Sequence, residues 1–228
     1  MQHPFAHARV AGALALIATA ACARATHPSP SGTAQPATTS QATLSPAAQA
    51  KADSGRPPYT AADVHFMSGM IAHHAQAVVM AGWAPTHGAS AAVRALCERI
   101  VVAQQDEIAF MQRWLGERHE PVPDAGAPPS HSHLMPGMDR AVLMPGMLTA
   151  AQLAQLDSAR GADFDRLFLA FMIQHHRGAI TMVEQLFSAQ GAVRDDLLFK
   201  FAADVNVDQT TEIDRMSRML ETLTRSPM

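Results

Sequence analysis

The sequence predicts an all-α fold: a four-helix bundle assembled from two copies of one helical hairpin, with a short extra helix in the central connection. Three observations lead there. The stretch Phe66-Met67-Ser68-Gly69-Met70-Ile71-Ala72-His73-His74-Ala75-Gln76-Ala77-Val78-Val79-Met80 returns as Phe168-Leu169-Ala170-Phe171-Met172-Ile173-Gln174-His175-His176-Arg177-Gly178-Ala179-Ile180-Thr181-Met182, with Phe, Met, Ile, both His, Ala and Met in register. A second pattern, Gln104-x-x-Glu107-Ile108-x-x-Met111-x-x-x-Leu115, returns as Gln209-x-x-Glu212-Ile213-x-x-Met216-x-x-x-Leu220, displaced by a small insertion in a turn. Apolar residues recur at helical spacing through all four segments, and no stretch alternates as a strand. Each copy therefore reads as a hairpin, and two hairpins close a bundle.

Taken in order, residues 1–25 form an export signal. Arg9 supplies a thin positive start, Val10 to Ala21 are apolar but too few to span a bilayer, and small residues follow. Ala21-Cys22-Ala23 and Ala23-Arg24-Ala25 both suit cleavage, while Cys22 also fits lipidation, with Thr19 where an aliphatic residue is usual. The two readings stay open, so the protein is expected in the periplasm or cell envelope, held to a membrane only through a lipid anchor on Cys22. Residues 26–58, rich in Pro, Ser, Thr, Ala and Gln, cannot bury enough apolar surface to offset chain entropy and read as a tether.

The bundle spans 59–224, with one repeat over 59–116, a Met- and His-rich connection over 117–160, and the second repeat over 161–224. Thr60 and Asp63 predict the first helix start, a capping box with Asp in place of Glu, and the helix runs to about Gly82. The second helix spans about Ser90 to Leu115, stopped by Gly116. In the connection, Thr149 caps a short helix that ends near Gly161. The third long helix spans about Asp163 to Gln190 with Gly191 beyond it, and the fourth about Val193 to Leu223.

The helical faces carry the chemistry. At about 100° per residue, His175 and His176 straddle the apolar face of Phe168, Met172, Ala179, Met182, Val183 and Leu186. Met172 lies between them, so Met at i with His at i+3 and i+4 makes a three-donor facet aimed into the bundle. Met70, His73 and His74 repeat it. Glu107 shares its face with Leu96, Ile100 and Trp114, and Glu212 with Phe201 and Val205, although a core carboxylate is costly unless paired, protonated or metal-bound. These eight residues are the candidate metal ligands. Thioether is a soft donor that favours Cu(I) over iron, manganese or magnesium, and imidazole leaves Cu(II) or zinc open.

Blander roles compete elsewhere. Core filling is favoured for Met80, Met111, Met182 and Met216, and capping for Asp63 and Asp165. Asp63, Asp165, Gln104 and Gln209 are also candidates for orienting the histidine rings. His131, His133, Met135, Met138, Met144 and Met147 either collect copper or make turns over the bundle end. Cys97 reads as a buried inert thiol, and His65, His87 and His119 as solvated side chains. A net charge of −3 with no basic run excludes nucleic acid as an evident partner. No nucleophile–base motif or phosphate loop is present, which leans away from an enzyme.

Met70-Ile71-x-His73-His74, Met172-Ile173-x-His175-His176, Phe164-Asp165-x-x-Phe168-Leu169 and Gln104-x-x-Glu107-Ile108 resemble the motifs of a secreted bacterial family of unknown function (number three hundred and five) in the ferritin-like superfamily. The likeness covers roughly residues 58–224. It implies a ferritin-like bundle, export, and copper binding for tolerance, sequestration or transfer to a copper-handling partner protein. Ferritin-like di-iron bundles place Glu three residues before His; Met stands there in both copies. A di-metal redox enzyme using Glu107, Glu212 and the four histidines is the first alternative, and an interaction module without metal, its Glu and His forming a structural network, the second.

Overall fold

The computed structural model describes residues 54–125 and 143–225. Within them the chain forms five helices and no strand: α1 (Ala61–Gly82), α2 (Ala91–Glu117), α3 (Ala150–Ser158), α4 (Gly161–Ser188) and α5 (Asp196–Arg225). Cys22, His131, His133, Met135 and Met138 lie outside the described residues, as does all of the export segment. No described helix is long and apolar enough to cross a membrane.

The starts follow local side-chain chemistry. Thr60 accepts the Asp63 backbone N–H while the Asp63 carboxylate accepts that of Thr60 at 2.7 Å, closing the expected capping box. Ser90 caps α2 through the Val93 N–H, and Thr149 with Gln152 forms a second capping box on α3. Such caps satisfy orphan N–H groups and contribute about 1 kcal/mol each.

Three ends differ from expectation. Gly116 lies inside α2, which continues to Glu117, and His119 takes the left-handed backbone at φ 57 instead. Arg118 sets that end by anchoring in the core: it donates to the Trp114 carbonyl and pairs with the buried Asp195. α4 stops at Ser188 and is capped by extended Ala189, so Gly191, although at φ 78, sits past the cap. α5 begins at Asp196, because Val193 adopts φ 61 and donates its N–H to Asp63 at 2.8 Å.

α1 packs on α2 and α4 on α5, and α1 against α4 joins the hairpins; α2 and α5 have no comparable backbone contact. The core has two apolar clusters. One joins the C-terminal half of α1 to the N-terminal half of α4 through Met80, Leu96, Phe164, Phe168 and Met172. The other joins the opposite halves through Phe66, Met70, Met111, Val183 and Val205. α1 and α4 are therefore antiparallel. His73, His74, His175 and His176 belong to neither cluster and form a polar layer between the two.

Candidate metal centre

The four imidazoles lie fully buried in one row across the bundle. His73 and His175 lie against each other at the centre, with ring centroids 3.8 Å apart and planes tilted by 36°. His74 stands 6.3 Å from His73 and His176 stands 6.2 Å from His175, so the row keeps the two-fold relation of the repeats. The outer rings meet carboxylates: His74 Nε2 lies 2.5 Å from Glu107 Oε2, and His176 Nε2 lies 2.6 Å from Glu212 Oε2. The Glu107 and Glu212 side chains are 20% and 25% exposed, so the row reaches solvent at its carboxylate ends.

Hydrogen-bond direction fixes which ring nitrogen is left over. His73 Nε2 donates to the Pro145 carbonyl and His175 Nε2 to the His73 carbonyl, both at 3.0 Å. Carbonyl and carboxylate oxygens only accept here, so the hydrogen sits on Nε2 in all four rings. Every Nδ1 is then a buried atom without a hydrogen-bond partner among the described residues. Imidazole with one nitrogen donating to a carboxylate or carbonyl and the other bare is the arrangement of a metal-ligating histidine. A purely structural network would leave few such atoms unpaired.

Burial makes the central pair neutral. It pushes His73 down to about 3, helped by the neighbouring His74 and opposed by the Pro145 contact. It drives His175 well below the usual histidine range, with His73 and His176 adding to the effect. Outside the row, burial and then repulsion from Glu107 raise Asp208. Among the described residues no three His, Cys, Asp or Glu donors converge as an ion cage, so a soft ion held here needs few ligands or thioether help.

Met70 and Met172 are fully buried on opposite sides of the histidine layer, each in a different apolar cluster. Met80, Met111 and Met216 are buried in the same clusters, as core filling requires. Asp63 and Asp165 spend their carboxylates on turns: Asp63 holds Thr60 and Val193, and Asp165 accepts the Ser90 N–H at 3.2 Å. The carboxylates that meet the outer rings are those of Glu107 and Glu212. Gln104 and Gln209, one turn before those glutamates, are buried with Gln104 Nε2 and Oε1 and Gln209 Oε1 unpaired. Cys97 is a free buried thiol, pushed up to about 12 chiefly by burial. His87 is not solvated: it is buried, with Nε2 at 2.9 Å from the Asp157 carbonyl.

Three contributors escape the sequence reading: Gln76, Pro145 and Gly178. Gln76 pairs both ways with the Leu148 backbone, at 3.1 and 2.8 Å. Its counterpart in the second repeat is Gly178, where a Cβ would stand 2.0 Å from the Pro145 oxygen. The segment around Pro145 therefore crosses α4 where there is no side chain and is gripped by α1 where there is an amide. That docks the Pro145 carbonyl on His73. Gln76 and Gly178 occupy the same register position of the two copies.

Comparison with known proteins places the chain in a family. The family model "Domain of unknown function (DUF305)" matches residues 63–220. The solved structure of a DUF305 fragment from Deinococcus radiodurans is similar at 29% identity and a TM-score of 0.60, covering 73% of this chain and 99% of that one. A DUF305 protein from Streptomyces coelicolor, described by name as secreted, is similar at 26% identity and a TM-score of 0.59, covering 73% and 96%. CopM in its Cu(II)-bound form is similar at 27% identity and a TM-score of 0.53, covering 70% and 96%. CopM also matches in Cu(I)-bound and Ag-bound forms. No curated protein matches.

Proposed function

The chain belongs to the DUF305 family, and from that premise we propose that it is an exported copper-binding protein that sequesters or passes on Cu(I) through the histidine row. One observation carries the reading: four buried Nδ1 atoms lack partners while each Nε2 is held by an acceptor. His73, His74, His175 and His176 would supply imidazole and Met70 and Met172 thioether, with Glu107 and Glu212 fixing the outer rings. Neutral imidazole and thioether suit a soft monovalent ion. The likeness to CopM, solved with Cu(I), Cu(II) and Ag, supports that choice. A di-metal redox centre is the weaker reading, since both glutamates are engaged by histidine and Met replaces the Glu of the di-iron pattern.

The test is a Cu(I) competition titration against a chelator of known affinity. The intact protein is expected to hold Cu(I), and the variant with His73, His74, His175 and His176 changed to Ala to lose affinity by at least about tenfold, the lower bound for disturbing even a ring-orienting contact. Equal affinity in the two proteins refutes the histidine centre.

A further inference from the structure

A second cluster of soft donors lies outside the histidine row. A cavity of about 110 Å³ opens between α1, α4 and the end of the connection, lined by His65, Phe66, Met144, Pro145, Met182 and Gln185 among others. Its thioethers come from two different segments and meet over Gly69. A Cβ at Gly69 would stand 3.2 Å from Met144 Sδ and 3.4 Å from the Met182 methyl. The missing side chain thus makes the room into which both methionine ends project. His65, exposed on the first turns of α1, brings an imidazole to the same rim.

We infer that His65, Met144 and Met182 form a second binding site for a soft monovalent cation, Cu(I) or Ag(I), at the mouth of this cavity. The donor chemistry sets the class: thioether and imidazole line the cavity and no carboxylate does, so a hard divalent ion finds no anionic ligand there. Met144 is half-buried and Met182 nearly closed off, which keeps the thioethers near solvent yet out of it. Both side chains pack with the apolar cluster of Phe66 and Val183 and also line the cavity, so their thioethers stand between core and open space. The carbonyl of Pro145, next to Met144, accepts the His73 Nε2–H, so an ion here sits one residue from the bond that closes the row. Copper binding by the row and by this site are separate statements, because no donor is shared.

The experiment uses the full chain labelled with ¹³C at the methionine methyls and titrated with Ag(I). The Met144 and Met182 methyl signals are expected to shift together, and to do so equally in the protein with His73 and His175 changed to Gln. Met144→Leu with Met182→Leu, a volume-conserving pair that the fold should accept, is expected to remove one equivalent of bound Ag(I) while Cu(I) binding by the row persists. His65→Ala is expected to weaken that equivalent without abolishing it. Methyl signals that stay still at saturating Ag(I), or an unchanged stoichiometry in the double variant, overturn the site. Loss of all Ag(I) binding in the glutamine variant would also overturn it, by assigning every ion to the row.

Discussion

The Asp63 carboxylate and the Val193 backbone N–H meet at 2.8 Å across 130 residues of sequence, and that bond ties the first helix of one repeat to the turn of the other. Asp165 does the reciprocal job for Ser90. Val193 is β-branched and sits at φ 61, a conformation such residues rarely adopt. Asp63→Ala removes the carboxylate half of the α1 capping box and leaves the Val193 N–H without its acceptor. The expected loss is about 2–4 kcal/mol from the two effects together, read as a lower urea midpoint. Val193→Gly in the Asp63→Ala background should recover part of it, since glycine adopts that φ without strain.

Gly178 is the tightest point of the connection, with the Pro145 oxygen 2.0 Å from where a Cβ would be. Gly178→Ala must push the segment off α4, because the obstacle is backbone and not a flexible side-chain end. The expected cost is about 1–3 kcal/mol, accompanied by a chemical-shift change at His73, which loses its carbonyl partner. An alanine variant as stable as the parent, with His73 unmoved, would contradict the docking.

Acid should destabilise the metal-free protein through the central rings. Folded His73 is pushed down to about 3 and folded His175 well below the unfolded value of 6.5. The unfolded chain therefore takes up protons that the fold refuses. The stabilising contribution is present above 6.5 and is lost as pH falls toward 3. Each ring contributes a slope of about 1.4 kcal/mol per pH unit in that window. Urea midpoints measured from roughly pH 7 down to 4 should fall steadily, and the fall should shrink with His73 and His175 both changed to Gln. An unchanged pH profile in that variant would remove the buried neutral pair from the explanation.

Glu107 and Glu212 contact the outer rings at 2.5 and 2.6 Å, and on the proposed function they orient those rings for metal. Glu107→Ala or Glu212→Ala should weaken Cu(I) binding by about 10–100-fold while the affinity of the Met144–Met182 site stays constant. An intact high affinity in both variants would mean that the rings need no such partner.

Much of this is legible in the sequence. Repetition of Met-x-x-His-His and of Gln-x-x-Glu announces a duplicated bundle, and Thr60, Ser90 and Thr149 mark helix starts because caps act within one turn. Burial of His73 and His175 follows from their place on an apolar face. What escapes is contact between distant segments. Nothing local at Pro145 says that its carbonyl will meet His73, and Asp63 looks complete as a cap although its second oxygen serves Val193. Val193 itself reads as the opening of α5 by propensity; the long-range bond to Asp63 overrides that preference. His87, in a turn by its neighbours Pro85 and Gly88, looks solvated until α3 brings Asp157 over it.

The most direct test of the histidine centre is ¹⁵N NMR of the imidazoles, read with and without Cu(I). The metal-free protein should show the Nε2–H form at His73 and His175, and addition of Cu(I) should shift Nδ1 signals of the row while Nε2–H resonances persist. Shifts confined to Nε2, or rings that do not respond while copper binds elsewhere, would contradict it.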